Sequence, residues 1–552
     1  MSKNLTALSG RKGLSNNLFE RIGALSEKEG TPSKEALAAL AEEFLMGPAN
    51  LYGTASFYDF TRPENKDKKV YVCNGSSCRL AGTQPGLKAK LSEHFREEEI
   101  GEMCCLGRCH ENTAFHYQGR NYSGPAADGL PAILKETYSK SSGHYRVEAR
   151  GRAILTLPFP SLETCRHTLT DILAKGPETA LAAIEASGLR GRGGAGFPIA
   201  LKMKSCREAP GDQKFVVCNA DEGDPGSFSD RYLLEQQPHS VLIGMLLAGY
   251  AIGANTGVLY IRAEYPESIH RIEEAIKELE DNGMAGENIL HSGFSFRFKL
   301  IKARGAYICG EETALLSSIE GQRPEVRVRP PYPAQEGLFG KPTLVNNVET
   351  LANLYYILQN GSSAFSVIGA PKSAGTKLLS LDSAFRRPGV YEVEMGTPLS
   401  MVVDELGGGF REPVKALHIG GPLGGLAPVA KIPELSIDFE SFAQQGFLLG
   451  HASIIGIPES YPMIAYLEHL FEFTAHESCG KCFPCRLGSV RGQELLHKAQ
   501  TEGYVIDSVL FQDLLDTLEK GSLCGLGGGM PLPVRHALRY FQEELKPYFL
   551  SV

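Results

Sequence analysis

The chain has 552 residues, a length that predicts three or four domains. Its composition, 42% hydrophobic and 22% charged, indicates a globular protein and excludes a disordered one. The net charge of −8, without any basic run, argues against nucleic acid as the main partner. The N-terminal stretch MSKNLTALSGRKGL lacks the apolar core of a secretory signal, so we expect a cytoplasmic protein.

The first 140 residues alternate predicted helices and short strands, on the scale of a small α/β domain. The aromatic alternation of YGTASFYDF at 52–60 indicates a strand or a strand-like turn. A polar linker is predicted at 139–143. The other predicted elements are helices over 16–25, 33–45, 82–95 and 130–138, strands over 69–73 and 100–104, and a hairpin over 113–122.

From 146 to 365, repeated strand–helix units predict a mostly parallel sheet. The segment 236–261 carries no charge and is long enough for a membrane span. Pro238 and the turn at 255–257 favour instead a buried helix over 240–253 and a buried strand over 257–261. The other predicted elements are helices over 168–175, 179–187 and 267–282, strands over 214–217 and 296–302, and a helix after residue 310.

The last two regions differ in their predicted secondary structure. Residues 366–445 predict a small β-rich domain, with strands over 378–381, 389–394 and 416–419 and one helix over 400–406. From 461 onward helices dominate, so 446–552 is predicted as a helical domain. The predicted division is therefore 1–140, 146–365, 366–445 and 446–552.

A glycine-rich loop at 188–202 reads GLRGRGGAGFPIALK. Glycines let the backbone approach a ligand closely, and their amides can bind phosphate, aided by a following helix N-terminus. The spacing only loosely resembles the dinucleotide pattern G-x-G-x-x-G, so a flexible surface loop is the alternative.

Polar residues follow several predicted strands, where ligands of parallel sheets bind. These segments are CNADEGD at 218–224, CGEET at 309–313 and NNVET at 346–350. Solvated loops and helix caps are the alternative for each segment.

Two groups of cysteines predict metal centres. Cys479, Cys482 and Cys485 have C-x2-C-x2-C spacing with Cys524 downstream, which favours a [4Fe–4S] cluster over structural zinc. Upstream, two cysteine pairs with C-x4-C and C-x3-C spacing suit a [2Fe–2S] centre, with zinc as the alternative. These pairs are Cys73 with Cys78 and Cys105 with Cys109, and the adjacent Cys104 is expected to be a bystander.

Five segments then carry a family resemblance: ASGLRGRGGAGFP, CNADEGDPGSFSDR, GAYICGEETALLSSIEG, KPTLVNNVETLANL and ESCGKCFPCRLG. In this order they resemble the 51-kDa-type flavin subunit of complex I and its relatives in NAD-linked hydrogenases and formate dehydrogenases. The likeness runs from about Arg146 to the C-terminus. Residues 1–140 resemble the 24-kDa-type partner, here fused in front.

The resemblance implies a multidomain α/β protein. Its parts would be a thioredoxin-like [2Fe–2S] domain, an FMN-binding α/β domain, a small β-grasp-like domain and a C-terminal helical bundle with [4Fe–4S]. The implied FMN residues are Gly191, Arg192, Gly193, Gly194, Lys202, Asn219, Asp221, Gly310, Glu311, Asn346 and Asn347. The implied NAD(H) residues are Phe197, Asp224, Tyr307, Glu312 and Tyr332, with Glu312 catalytic in the sense of positioning the nicotinamide.

Two departures bear on the type of enzyme. Asp224 stands within GDPG where complex I subunits have Glu, which is more like the hydrogenase and formate dehydrogenase branch. Met203-Lys204-Ser205 replaces aromatics of complex I relatives, so part of the nucleotide-stacking wall differs.

NAD carries hydride and clusters carry single electrons, so flavin belongs between them. We therefore expect an NAD(H)-linked electron-transfer subunit of a multisubunit enzyme, first of a formate dehydrogenase with a molybdenum or tungsten subunit. The alternatives are a soluble NAD-reducing nickel–iron hydrogenase, then a complex I arm. A zinc-stabilised, NAD-sensing scaffold is the non-enzymatic alternative.

Overall fold

The structure, a computed structural model, describes residues 13–15, 17–137 and 145–550. These residues build a four-stranded mixed sheet, a four-stranded parallel sheet, a six-stranded mixed sheet and a two-stranded ribbon, followed by helices. The linker predicted at 139–143 lies outside the described residues.

The N-terminal region has a thioredoxin-like arrangement of short strands and helices. Its elements are α1 (Leu18–Glu29), α2 (Lys34–Glu43), α3 (Pro48–Ala55), β1 (Val70–Cys73), α4 (Ser76–Leu80), α5 (Gln84–Ser92), β2 (Ile100–Met103), β3 (Phe115–Tyr117), β4 (Arg120–Tyr122) and α6 (Leu130–Leu134). The strand order is β2-β1-β3-β4, with β1 and β2 parallel and the other pairs antiparallel. The predicted hairpin is confirmed, and the last helix is shorter than predicted.

The strand predicted at 52–60 is wrong, because α3 occupies its first half. Pro48 stands in the first turn of α3, where proline favours a helix. The aromatic residues that follow pack into the core rather than alternate along a strand: Tyr58 contacts Phe19 at 5.2 Å between ring centroids and donates to Ser318 Oγ over 2.8 Å. Tertiary packing thus explains the aromatic pattern.

The central region contains the predicted parallel sheet. Its elements, with one preceding strand, are β5 (Arg146–Arg150), α7 (Leu162–Ala174), α8 (Pro177–Ser187), α9 (Ile199–Glu208), β6 (Phe215–Ala220), α10 (Ser229–Gln236), α11 (Pro238–Ile252), β7 (Thr256–Ile261), α12 (Pro266–Asp281), β8 (Arg297–Lys302), α13 (Glu312–Ile319), β9 (Thr343–Asn347) and α14 (Val348–Asn360). The order is β8-β7-β6-β9, and every pair is parallel. All four strands therefore present their carboxyl ends at one edge.

The uncharged segment 236–261 folds as predicted into α11 and β7. Helix α11 ends at Gly253 with φ of 78°, a left-handed conformation that glycine adopts without steric cost. The helix is buried on nearly every face between α14 and the parallel sheet. Among the described residues, no helix has the length and apolarity needed to cross a bilayer.

A region built around a six-stranded sheet follows, and it also contains the two-stranded ribbon. Its elements are α15 (Ser362–Ser366), β10 (Gly369–Ala370), β11 (Ser373–Ala374), β12 (Thr376–Leu381), β13 (Gly389–Glu394), α16 (Leu399–Met401), β14 (Val414–Ile419), β15 (Gly425–Pro428), α17 (Phe439–Gln444) and β16 (Ser453–Pro458). Strands β10 and β11 form the ribbon, and the order of the six-stranded sheet is β15-β14-β16-β12-β13-β5. The sheet takes β5 from before the central region and β16 from beyond residue 445, so it extends on both sides of 366–445.

The C-terminal region is helical, as predicted. Its elements are α18 (Met463–Glu477), α19 (Phe483–Thr501), α20 (Ser508–Gly521), α21 (Gly525–Gly529), α22 (Pro531–Tyr540) and α23 (Gln542–Leu545). Helices α18 and α19 pack along each other through a buried apolar cluster that includes Leu470, Phe471 and Leu495. The loop between α18 and α19 carries the first two of the downstream cysteines.

Candidate functional site

The glycine loop is a tight connection between α8 and α9 that is held by hydrogen bonds, rather than a flexible surface loop. Helix α8 stops at Gly188, which has a left-handed φ of 68°. The Gly191 amide then donates to the Phe197 carbonyl over 2.8 Å. Gly194, with φ of 135°, forms a β-bridge with Gly450, so the loop is also fixed against the six-stranded sheet region.

Arg192 supports this loop from inside the protein. Its side chain is fully buried, and its guanidinium donates to three backbone carbonyls, those of Arg190, Ala374 and Thr376, at 2.6–3.0 Å. Burial lowers the pKa of Arg192 to about 10. The guanidinium that the family pattern placed on the FMN side is therefore occupied by backbone carbonyls, and the Arg192 amide donates to Thr350 Oγ1 over 2.8 Å.

Gly193 and Asn347 meet where the loop crosses the end of β9. A Cβ added at Gly193 would lie 2.9 Å from the Cβ of Asn347, closer than side-chain carbons approach in proteins. On the other side of the cleft, a Cβ added at Gly310 would lie 3.4 Å from the carbonyl oxygen of Asp221. These glycines leave backbone exposed to a ligand lying between the loop and the sheet edge.

The polar side chains predicted at the strand ends do converge. Register pairs Asn219 with Asn347 across β6 and β9, and Asn219 Nδ2 donates to the Gly310 carbonyl over 2.7 Å. Asn347 caps α14, with Oδ1 accepting from the Glu349 amide at 2.9 Å. Its Nδ2 points away from that helix.

Two buried polar atoms at this edge have no hydrogen-bond partner among the described residues: Asp221 Oδ2 and Asn346 Nδ2. Burial raises the pKa of Asp221 well above its usual range. A buried acceptor and a buried donor without partners need a ligand that supplies both kinds of group. The ring edge and ribityl chain of FMN offer such donors and acceptors, and its phosphate suits the loop amides, so the residues fit this cofactor.

A charged trio lines the outer side of the same cleft. Glu312 Oε2 accepts from Lys202 Nζ at 2.9 Å, and Oε1 accepts from Arg329 at 3.1 Å. Lys202 also donates to the Val345 carbonyl over 2.9 Å. Glu311 instead caps α13, accepting from the Thr313 and Ala314 amides at 2.9 Å. Glu312 is thus the acid held in the open cleft, and Glu311 is the structural one.

The aromatic residues predicted on the NAD(H) side fall into two groups. Phe197 and Tyr332 are 52% and 54% exposed, and their faces are available to a planar ring. Tyr307 packs against Phe473 at 5.0 Å between centroids and hydrogen-bonds Asp224, and burial raises the pKa of both groups. Tyr307 therefore forms part of the cleft wall, whereas Phe197 and Tyr332 lie at its rim.

The four upstream cysteines converge in a buried site. All are buried, and Cys105 Sγ lies 3.5 Å from Cys109 Sγ. Hydrogen bonds from Cys109 and Cys73 lower the pKa of Cys105, while the contacts with Cys105 and Cys78 raise the pKa of Cys73. Backbone amides also bond the sulfurs: Gly107 donates to Cys105 at 3.4 Å, and Gly226, from the central region, donates to Cys109 at 3.2 Å. Four thiols with amide donors suit a [2Fe–2S] cluster.

The four downstream cysteines also lie together. Cys482 and Cys524 stand directly before α19 and α21. A Cβ added at Gly527 would lie 2.7 Å from the Cβ of Cys485, which shows how closely α21 packs on α19. Burial raises the pKa of Cys485 to about 11 and of Cys524 to about 12. Cys479 and Cys485 belong to the same apolar cluster as Ile308 beside the cleft.

One group of site residues was missed by the sequence. Glu222, Asp230 and His451 are buried behind the glycine loop, with ligand-type atoms within 4.8 Å of one another. His451 is more than two hundred positions from the others, so no local spacing could reveal the cluster. In the folded chain, the bridge between its neighbour Gly450 and Gly194 and its contact with Asn347 Nδ2 at 3.3 Å place it at the site.

Three family models match the chain. Residues 184–356 match the Nuo51 FMN-binding domain, 465–548 the iron–sulfur binding region of NADH-ubiquinone oxidoreductase-F, and 11–138 the thioredoxin-like [2Fe–2S] ferredoxin. The alpha subunit of the NAD-reducing hydrogenase HoxS of Cupriavidus necator is 34% identical over 548 residues, 92% of this chain and 88% of that subunit. The chain belongs to the family of complex I flavin subunits.

Two further relatives match about two thirds of the chain, and one solved structure matches nearly all of it. The HndC component of the NADP-reducing hydrogenase of Solidesulfovibrio fructosivorans is 43% identical over 69% of this chain and 78% of its own length. An NADH-quinone oxidoreductase component of Rhizobium meliloti is 42% identical over 67% of this chain and 88% of its own length. A crystal structure of an NAD⁺-reducing [NiFe]-hydrogenase in the H₂-reduced state aligns with a TM-score of 0.85 and 29% identity, covering 97% of this chain and 93% of that one.

These matches confirm three of the predicted domain types, the thioredoxin-like [2Fe–2S], FMN-binding and [4Fe–4S] domains, and the cofactors FMN, NAD(H), [2Fe–2S] and [4Fe–4S]. They favour iron–sulfur clusters over the zinc sites that cysteine spacing alone left open. The chain is an NAD(H)-linked flavin and iron–sulfur oxidoreductase subunit of the diaphorase type. The edge of its parallel sheet brings the flavin-type cleft next to both sets of cysteines.

Proposed function

We propose that the chain passes electrons between NAD(H) and a partner subunit, through FMN held at the carboxyl edge of the parallel sheet. The observation that carries this proposal is the shared edge, where the glycine loop, the unpaired atoms of Asp221 and Asn346, and both cysteine sets meet. Bound FMN supplies two-electron exchange with NAD(H) and one-electron exchange with clusters.

The FMN side is proposed to use the backbone of the glycine loop together with polar groups of the strand ends. The Gly191 and Arg192 amides already donate to Phe197 and Thr350, so the amide donors are proposed to come from the following glycines. Glu312, held between Lys202 and Arg329, positions NAD(H), with Phe197 and Tyr332 against its rings. The proposed FMN contacts are Gly191, the Arg192 main chain, Gly193, Gly194, Lys202, Asn219, Asp221, Gly310, Asn346 and Asn347. Asp224, Tyr307 and Glu311 shape the wall, and the cluster ligands are Cys73, Cys78, Cys105, Cys109, Cys479, Cys482, Cys485 and Cys524.

The partner subunit is proposed to dock beside the [4Fe–4S] cysteines. Phe483 and Leu487 on α19 are 74% and 59% exposed, directly beside Cys482 and Cys485. Electron transfer needs a partner's centre close to this cluster, and an exposed apolar stripe here suits an electron-transferring subunit. Phe483→Asp should reduce co-purification of the partner while NADH-dependent dye reduction persists.

Hydrogen is the terminal substrate with the broadest support. The relative that covers nearly the whole chain, including the fused N-terminal region, is named as an NAD-reducing hydrogenase subunit, and so is the matching crystal structure. We therefore propose a cytoplasmic NAD-reducing enzyme whose partner subunits hold nickel and iron.

Formate is the second candidate. Its support is local: the GKCFPCRLGSVRG segment at 480–492 resembles the formate dehydrogenase branch, whereas GDPG at 223–226 fits the hydrogenase and formate dehydrogenase relatives alike. A partner subunit with molybdenum or tungsten would then oxidise formate. Purifying the native complex separates the two, because nickel with H₂-dependent NAD⁺ reduction supports hydrogen, and molybdenum or tungsten with formate-dependent reduction supports formate. A complex that holds no FMN and reduces no dye with NADH would contradict both.

A further inference from the structure

A buried ionic cluster lies behind the flavin cleft, centred on His451. This residue is 5% exposed and precedes β16, and its neighbour Gly450 bridges Gly194 of the glycine loop. His451 Nδ1 lies 2.8 Å from Ser227 Oγ, and Nε2 lies 3.2 Å from Asp230 Oδ2. Asn347 Nδ2 donates to the same Asp230 oxygen over 2.6 Å, which connects the cluster to the end of β9.

Hydrogen-bond accounting fixes the charge of His451. Ser227 Oγ also lies 2.7 Å from Glu222 Oε1, which can only accept, so the single hydroxyl proton goes to that carboxylate. The Nδ1 atom must then donate to Ser227. Nε2 lies 3.2 Å from Asp230 Oδ2 and 3.3 Å from Asn347 Nδ2. Because that amide nitrogen already donates to Asp230 over 2.6 Å, Nε2 donates to the carboxylate. An imidazole that donates from both nitrogens is a cation.

The charged groups around the ring agree with this assignment. Glu222 and Asp224 face it from the loop after β6, and Asp230 faces it from α10. Lys377 of β12 is the nearest other cation, and it forms a fully buried pair with Glu349 of α14.

The carboxylates around His451 change the pKa of its ring. Burial by itself would lower the pKa of His451, but the Asp230 carboxylate overrides that effect and raises it to about 9. His451 is therefore the cation paired with Asp230, and it also faces Glu222 at 3.9 Å.

The side chain of Asn347 lies between the His451 cluster and the proposed cofactor cleft. Asn347 separates it from Gly193, at which an added Cβ would touch the Asn347 Cβ at 2.9 Å. Asp230 Oδ1 is buried and has no hydrogen-bond partner among the described residues, so a carboxylate here is poorly compensated without the imidazolium.

We propose that His451 is a positioning residue for the redox reaction: its imidazolium fixes Asn347 through Asp230 and offsets the negative charge of Asp230 behind the floor of the flavin cleft. One hydride from NADH moves two electrons and one hydrogen nucleus to FMN, which leaves NAD⁺ and adds one negative charge to the flavin. An unbalanced carboxylate behind Asn347 would oppose that added charge. This inference rests on the proposed placement of FMN against the glycine loop.

The test is a redox titration of the flavin in the purified holoprotein, with FMN affinity measured alongside. His451→Gln removes the cation and leaves Asp230 unbalanced, so we expect a more negative flavin midpoint potential and weaker FMN binding. In His451→Gln/Asp230→Asn the opposing charge is gone too, and the potential should return toward that of the unaltered protein. A purely structural role predicts the reverse, with the double variant further impaired.

The pH dependence supplies a second readout. The potential of the unaltered protein should fall more steeply above about pH 9, as His451 loses its proton, and His451→Gln should lack that steepening. His418→Gln is the matched control, because His418 is equally buried on β14 and burial lowers its pKa to about 3. It should leave both the potential and its pH dependence unchanged.

Each outcome decides the inference. If His451→Gln retains FMN with an unchanged potential and pH profile, the inference is overturned. If His451→Gln loses FMN and the double variant regains it, unbalanced charge is the cause and the inference stands; if both lose FMN, it is overturned. Gly193→Val tests the placement separately, since FMN retention in that variant would mean that the flavin lies elsewhere.

Discussion

The backbone amide of Gly226 donates a hydrogen bond to Cys109 Sγ over 3.2 Å. Gly226 belongs to the loop after β6 of the central region, whereas Cys109 belongs to the N-terminal [2Fe–2S] domain. The same loop begins with Asp221, whose buried Oδ2 has no hydrogen-bond partner among the described residues and which we propose as an FMN contact. The two redox sites therefore share one short loop, and the fused N-terminal domain is fixed to the central region at its cluster.

Gly226→Ala should alter the [2Fe–2S] centre without removing it. The residue has a left-handed φ of 98°, and an added Cβ would lie 2.6 Å from Ile455 Cγ1, so the loop must move and lengthen the bond to Cys109. Amide donors to cluster sulfurs favour the reduced state, so the cluster potential should become more negative. Electron paramagnetic resonance during a redox titration measures this shift. Unchanged cluster signals and potential would show that the amide has no influence.

Gly193→Ala should weaken FMN binding, and Gly193→Val should abolish it. The added Cβ would collide with Asn347, which forms the floor of the cleft, at 2.9 Å. Flavin content after gel filtration and iron content measure the two effects, and both clusters should remain. Gly86→Ala in α5 is the control, because a Cβ there meets nothing within 4 Å.

Glu312→Gln should raise the KM for NADH about tenfold or more while the flavin content stays the same. Lys202 and Arg329 hold the carboxylate in place, and we propose that it accepts a hydrogen bond from NAD(H). Losing one charge-assisted hydrogen bond to the nucleotide costs roughly 1.5–3 kcal/mol of binding free energy. Steady-state NADH–dye reduction at varied NADH measures the change. Glu325→Gln, a change at a less buried acid further along the chain, serves as the control, and an unaltered KM in Glu312→Gln would remove this residue from the NAD(H) site.

Most of the fold was predictable because its signals are local. The prediction that the uncharged segment 236–261 forms a helix and a strand is confirmed by α11 and β7. Pro238 and the turn at 255–257 are strong local signals for a helix start and a chain reversal. The aromatic alternation at 52–60 led to a wrong strand prediction, because the contacts that explain it are not local. Phe57 and Tyr58 pack against residues from distant parts of the chain, including Arg323, and nothing near them in sequence records that contact.

The same distinction applies to the site. Cysteine spacing predicted both metal centres, because most of the cysteines in each set lie only a few residues apart in the sequence. The use of the Arg192 guanidinium was not predictable, since its carbonyl partners at Ala374 and Thr376 are about 180 positions away in sequence. The pairing of Asp230 with His451 is hidden in the same way, although each residue lies beside a recognisable segment.

His451 should also make the protein less stable at alkaline pH. Its pKa is raised from 6.5 to about 9 in the folded state. Its stabilising contribution is therefore complete below about pH 6.5 and is lost as the pH rises through about 9. The loss amounts to at most about 3 kcal/mol, so the melting temperature should drop by a few degrees between pH 7 and pH 10.

Thermal unfolding of the holoprotein at a series of pH values measures this drop, with His451→Gln as the comparison. The variant should start from a lower melting temperature at pH 7 and decline less toward pH 10, because it has no imidazolium to lose. His418 provides the opposite case: its lowered pKa costs stability only as the pH falls below about 6.5, so His418→Gln should keep the alkaline decline. Parallel alkaline profiles for the unaltered protein and His451→Gln would show that the ring is already neutral at pH 7.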